Sequence, residues 1–126
     1  LGKTILIVED DRKNMTLFHD FLQVKGFGTI EAVDGRQGVD YARLYKPDLI
    51  LMDIMLPILN GIEAIKIIKS DPETSPIPII ALASFAMPNE KKLVFEAGGD
   101  GYMMKPVNIK TLLSKIKKYL PESVFL

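Results

Sequence analysis

"LILMDIMLP", residues 49–57, sets a single carboxylate in an otherwise apolar run. Leu49, Ile50, Leu51 and Met52 lead into Asp53, and Ile54, Met55, Leu56 and Pro57 follow it. So apolar a segment reads as a strand buried on both faces, assigned to 48–52 with Asp53 just beyond its end. Burying a lone carboxylate there costs several kcal/mol. Asp53 therefore needs either a compensating partner or a chemical use.

The segments on either side repeat the pattern of a short apolar run followed by an amphipathic stretch. "TILIV" (4–8) is a second buried strand, ending in Glu9, Asp10 and Asp11. Met15, Phe18, Phe21 and Leu22 recur at helical spacing across 12–25, and Gly26 ends that helix. "GTIEAV" (28–33) is a weaker strand, Asp34-Gly35 marks a turn, and 36–45 is a helix weakened by Gly38 and stopped by Pro47. Beyond Asp53, Ile62, Ile65 and Ile68 mark a helix over 61–69, and "DPETSPIP" (71–78) is a loop. "IIALA" (79–83) is a strand, 88–97 a helix ended by Gly98-Gly99, and "GYMM" (101–104) a strand. Asn108 caps the last helix, whose stripe is Ile109, Leu112, Leu113, Ile116 and Leu120.

Strands this apolar, alternating with helices, predict an α/β fold: a doubly wound, five-stranded parallel sheet with five helices and flavodoxin-like order 2-1-3-4-5. The 126 residues are read as one domain, 1–126. With 48% hydrophobic and 25% charged residues and zero net charge, direct nucleic-acid binding is not expected. No apolar run approaches the roughly 20 residues that span a bilayer. "LGKTILIVED" reaches acid too soon for a secretory signal, so a cytoplasmic location is expected. The absence of cysteine excludes thiolate chemistry and cysteine-ligated zinc.

In open α/β sheets, sites form outside the carboxyl ends of the strands. Glu9 and Asp10 follow strand 1, Asp53 follows strand 3, and Lys105 follows strand 5. Strands 1 and 3 are neighbours in the predicted order, so carboxylates from both converge on one crevice. Crowded carboxylates repel, and their pKa values rise unless a cation enters. A hard divalent ion, Mg²⁺, suits such an oxygen site. Acids, Mg²⁺ and a lysine together suit a phosphoryl group, and a carboxylate can attack phosphorus itself. Taken singly, the acids after strand 1 read as a solvated turn and Lys105 as a surface residue; their combination outweighs that.

"ILIVEDD", "KPDLILMDIMLP", "NGIEAIKIIK" and "AGGDGYMMKP", in this order, resemble the receiver domain of two-component response regulators over about residues 4–120. "NMTLFHDFL" and "SFAM" look most like the DivK-like single-domain regulators. The resemblance implies that Asp53 accepts a phosphoryl group from a histidine kinase or histidine phosphotransfer protein. It implies Mg²⁺ held by Asp10, Glu9, Asp53 and the main-chain carbonyl of Met55, and Lys105 paired with the phosphoryl oxygens. A cis Lys105–Pro106 bond and Tyr102 as an aromatic switch follow from the same match. Such a module catalyses its own phosphorylation and dephosphorylation but is not a turnover enzyme. Its downstream target would be a protein, met through helix 4, strand 5 and helix 5. Apolar Met55, two residues after Asp53, implies slow self-dephosphorylation.

One position departs. The family usually has Thr or Ser where this chain has Ala83, so a charge-assisted hydrogen bond of about 1.5–3 kcal/mol is missing from the phosphorylated state. That is comparable to an allosteric coupling energy of about 1–3 kcal/mol. Three outcomes are open: Ser84 supplies the hydroxyl, the Ser84 N–H suffices alone, or the protein works in one fixed conformation. Adjacent strand residues face opposite ways, which makes Ser84 the weak candidate. The competing reading is a phosphorylation-independent interaction module of the same fold. A haloacid-dehalogenase-type phosphatase would need an acid at Met55, and a flavodoxin would need a phosphate loop where "EDDRKNM" stands. His19, the sole histidine, is read as a surface or packing residue near the partner face.

Overall fold

Alternation of strand side chains between two covered sheet faces, and helical spacing of apolar residues, generate the architecture of the computed structural model, which describes residues 2–83 and 89–120. The elements run β1 (Thr4–Val8), α1 (Arg12–Val24), β2 (Gly28–Ala32), α2 (Gly35–Tyr45) and β3 (Leu49–Asp53). They continue with α3 (Gly61–Ser70), β4 (Ile79–Ala83), α4 (Glu90–Glu96), β5 (Gly101–Met104) and α5 (Ile109–Tyr119). The strands form one parallel sheet in the order β2-β1-β3-β4-β5, as the sequence predicts.

Alternation along each strand divides the interior in two. Leu6, Val8, Ile50, Met52, Ala81 and Ala83 face α2, α3 and α4. Ile5, Ile7, Leu49, Leu51, Ile80 and Leu82 face α1 and α5. All five residues of β3 are buried, because β3 is the central strand and both its faces are covered. The edge strand β2 is only partly buried, which is why its sequence signal is weak.

Helix ends follow local chemistry. Asn60 and Asn108 accept hydrogen bonds from Glu63 N–H and Thr111 N–H, capping α3 and α5. The Gly26 N–H to Gln23 and Phe27 N–H to Leu22 bonds close α1 in a Schellman motif, with Gly26 at φ 91°. Gly98 and Gly99 close α4 in the same way on Phe95 and Val94.

Three expectations need correction. Asp34-Gly35 is not a free turn: Asp34 caps α2, accepting from Gln37 N–H at 2.8 Å, and Gly35 is the first helical residue. A Cβ on Gly35 would collide with the Leu59 carbonyl. Asp53 is the last residue of β3 rather than the first beyond it, since the ladder to Leu82 continues through it. Among the described residues, α4 begins at Glu90, shorter than the 88–97 expected.

Candidate functional site

Register brings the acids together. Val8 pairs with Met52, so the residues that follow, Glu9 and Asp53, emerge side by side at the carboxyl edge. The Glu9 N–H continues the sheet by donating to the Ala32 carbonyl. Beyond Asp53 the chain closes on itself, with Gly61 N–H donating to Ile54 O at 2.8 Å. A Cβ on Gly61 would collide with the Asp53 carbonyl, so glycine lets α3 start directly beneath the loop. Within that loop Leu59 N–H donates to Pro57 O at 2.7 Å across Ile58, whose φ is 71°. This is a tight γ-type turn with a β-branched residue in the left-handed region.

One carboxylate oxygen from each of Glu9, Asp10 and Asp53 lies within 4.8 Å of the others. Glu9 and Asp53 are buried and Asp10 is exposed. Lys105 reaches over from the end of β5 and bridges the buried pair, at 2.6 Å from Glu9 Oε1 and 3.2 Å from Asp53 Oδ2. Glu9 Oε2 accepts from Asp11 N–H at 3.1 Å, and Asp53 Oδ1 from Met55 N–H at 3.3 Å. Every oxygen of the buried pair therefore has a donor.

Burial raises the Glu9 pKa above its usual value, and the nearby Asp53 charge adds to this; the Lys105 and Asp11 hydrogen bonds only partly offset it. Burial pulls the Lys105 ammonium down, but its hydrogen bond to Glu9 and the charges of Asp53 and Glu9 outweigh that, and its pKa is raised. A single lysine against three carboxylates leaves the cluster anionic. An oxygen-only donor set with excess negative charge can hold a hard divalent cation.

The sequence-derived residues thus converge as expected, with one refinement. Lys105 is not at the edge of the cluster but inside it, as counterion to Glu9 and Asp53. Met55, whose carbonyl the resemblance offers to a metal, follows on the same loop with its side chain exposed. The Lys105–Pro106 peptide is cis. Ser84 lies outside the described residues. Ala83 is fully buried and contributes no polar atom beyond its backbone, its carbonyl accepting from Lys105 N–H at 2.6 Å. His19 contacts Thr29 Oγ1 at 2.9 Å and Glu31 Oε2 at 3.2 Å on the α1–β2 surface, in keeping with a packing role.

Tyr102 reveals a residue that the sequence reading missed. Its hydroxyl donates to Glu90 Oε1 at 2.9 Å, and Glu90 is 1% exposed. Burial raises the Tyr102 pKa, reinforced by the Glu90 hydrogen bond and charge. In sequence, an acid in the first turn of a helix reads as a solvated dipole partner; nothing local signals that it is covered.

Residues 5–117 match the family model of the response regulator receiver domain. The chain belongs to that family. Over 123 residues the receiver is 40% identical to the polar-differentiation response regulator DivK of Brucella anthropi, covering 98% of this chain and 100% of the relative. DivK of Brucella ovis matches to the same extent. Among solved structures, the receiver domain of a Pseudomonas aeruginosa sensor histidine kinase superposes with TM-score 0.88 at 32% identity, covering 94% of this chain and 98% of that one. That structure carries a magnesium ion coordinated in its active-site cleft. The Vibrio cholerae chemotaxis protein CheY4 superposes with TM-score 0.88 at 27% identity, covering 95% and 100% of the two chains. Among the described residues of this receiver, no helix is long and apolar enough to cross a membrane.

Proposed function

We propose that this receiver accepts a phosphoryl group on Asp53 from the phosphohistidine of a histidine kinase or phosphotransfer protein, in the cytoplasm. The observation that supports it most is Lys105 bridging two buried carboxylates beside a third. Asp53 attacks phosphorus; an O–P bond forms as the P–N bond breaks, and the imidazole leaves. Glu9, Asp10, Asp53 and the Met55 carbonyl would hold Mg²⁺, which when bound supplies charge neutralisation at the phosphoryl oxygens. Lys105 then leaves Glu9 for a phosphoryl oxygen, a short reach from its present contacts. The Met55 N–H already aimed at Asp53 orients the nucleophile.

The module catalyses its own phosphorylation and slow dephosphorylation, and turns over no separate substrate. It signals by protein contacts through α4, β5 and α5, where Leu93, Phe95 and Met104 are exposed. With Ala83 offering no hydroxyl, the coupling between Asp53 and Tyr102 is weak.

Incubation with a small phosphodonor and Mg²⁺ tests this. The expected product is an acid-stable, base-labile phosphoryl group that Asp53→Asn abolishes. No incorporation, or incorporation that survives Asp53→Asn, refutes the proposal and favours a phosphorylation-independent interaction module.

A further inference from the structure

Tyr102 stands on β5 in register with Ala81, and Met104 in register with Ala83. Tyr102 packs against the core beneath α2–α4, to which Ala81 and Ala83 also belong. Two methyl groups on β4 leave room for the ring and offer its hydroxyl no side-chain acceptor. Among the described residues the hydroxyl reaches Glu90 Oε1 at 2.9 Å and Met104 Sδ at 3.3 Å. A carboxylate oxygen is the stronger acceptor of the two.

Glu90 is an expensive residue in this place. It opens α4, is buried, and its Oε2 has no hydrogen-bond partner among the described residues. A half-satisfied buried carboxylate destabilises a fold by itself, so stability does not account for it. Among the described residues its side chain makes one hydrogen bond, with Tyr102.

We propose that Glu90 is the positioning residue of Tyr102: its carboxylate holds the ring in place, so that α4 rather than the acid site sets the orientation of Tyr102 and the shape of the α4–β5 surface. A phenol keeps its proton over the neutral range, so the hydroxyl is the donor in this bond. Two consequences follow. Tyr102 stays put when Asp53 is modified, and it becomes free when Glu90 is removed. The contact stands on the structure alone; its consequence for signalling rests on Asp53 being the phosphoryl acceptor.

The test uses the full chain with isotopically labelled tyrosine rings, Tyr102 being assigned among the four tyrosines from Tyr102→Phe. The χ1 populations are read from NMR coupling constants. Wild type and Glu90→Gln, which keeps an acceptor oxygen, show the same small population of a minor rotamer. In Glu90→Ala the minor rotamer rises about five-fold, the equivalent of one ordinary hydrogen bond. A merely structural role for Glu90 would not separate Gln from Ala in this readout. Should Glu90→Ala not fold, Tyr102→Phe with labelled phenylalanine removes the same bond and keeps the ring; its rotamer is released likewise. Wild-type rotamer populations in whichever of these two variants folds overturn the proposal.

Beryllium fluoride with Mg²⁺, added to the same samples, gives the second arm. Shifts around Tyr102 are small in wild type and larger in Glu90→Ala or Tyr102→Phe; equal shifts overturn the signalling consequence. Base-labile phosphorylation of Asp53 is followed separately. Its absence counts against the acceptor reading and leaves the rotamer result to judge Glu90.

Discussion

Replacing Lys105 by Met removes the cation that bridges the buried pair in a cluster of three carboxylates while keeping most of the side-chain volume. Lys105 lies 2.6 Å from Glu9 and 3.2 Å from Asp53, whose side chains are 1% and 3% exposed, and is itself 13% exposed. Removing one partner of a buried pair costs about 3–5 kcal/mol. The site opens at the sheet edge and Glu9 can take up a proton, so the lower end applies, about 3 kcal/mol at neutral pH without Mg²⁺. In a chain of this size that lowers the melting temperature by roughly 10 °C. Mg²⁺ reverses much of the loss: at a hundred times its Kd, a ligand stabilises the native state by about 2.7 kcal/mol. The metal also binds the variant more tightly than wild type, because no ammonium competes for Glu9. Thermal and urea unfolding followed by circular dichroism, with and without Mg²⁺, measures all of this. A variant within about 1 kcal/mol of wild type without metal would refute the reasoning, since burial would then cost the carboxylates little. So would equal Mg²⁺ stabilisation of the two proteins.

Further outcomes follow from the same contacts. The Lys105 pKa is raised from 10.5, so its stabilisation is complete below that value and disappears as pH climbs through the raised one. The gap between wild type and Lys105→Met in urea titrations therefore closes only above pH 10.5; a gap that persists to the alkaline limit of folding contradicts this. Lys69 is 14% exposed, donates to Ser75 O at 3.0 Å and Ile77 O at 2.6 Å, and pairs with Asp100 at 2.9 Å. Lys69→Met loses about 2–4 kcal/mol, with faster amide exchange across 98–101; unchanged exchange there speaks against the contact. Ile58 is 81% exposed at φ 71°, so Ile58→Asn relieves strain and gains about 1 kcal/mol in urea unfolding. A loss of stability there would show that the turn is not strained.

The fold was legible because its strongest signals are local. β4 is an unbroken apolar run and β3 is one up to its terminal Asp53, and each was read to within a residue of its observed bounds. Glycine and asparagine mark the ends of α1, α3, α4 and α5 where φ and capping demand them. The position of Asp53 against Glu9 also followed, since order 2-1-3-4-5 makes their strands neighbours. What local pattern cannot carry is how far a flexible side chain reaches. Lys105 taken singly read as a surface residue because its neighbours in sequence say nothing of Glu9, ninety-six residues away. Glu90 drew no reading because nothing in its own helix signals that Tyr102, twelve residues on, lies against it. Asp34-Gly35 read as a turn because a capping aspartate and a turn aspartate look alike until the residue three positions on donates its N–H.

The Schellman close of α4 has a mechanical side. At that end Gly98 sits against the Lys69 side chain, and Asp100 accepts from Ile79 N–H, donates its own N–H to Ile79 O, and accepts from the Tyr119 hydroxyl at its carbonyl. At the other end, the polar side-chain hold among the described residues is the hydrogen bond from Tyr102 to Glu90. The helix is thus a lever about 10 Å long, pinned at its carboxyl end and latched at its amino end. A tilt of roughly 10° about the pin carries the latch end nearly 2 Å, a displacement of the size that repacks interfaces. Whatever undoes that latch, the swing is greatest beside the acid site and vanishes at the far pole of the sheet.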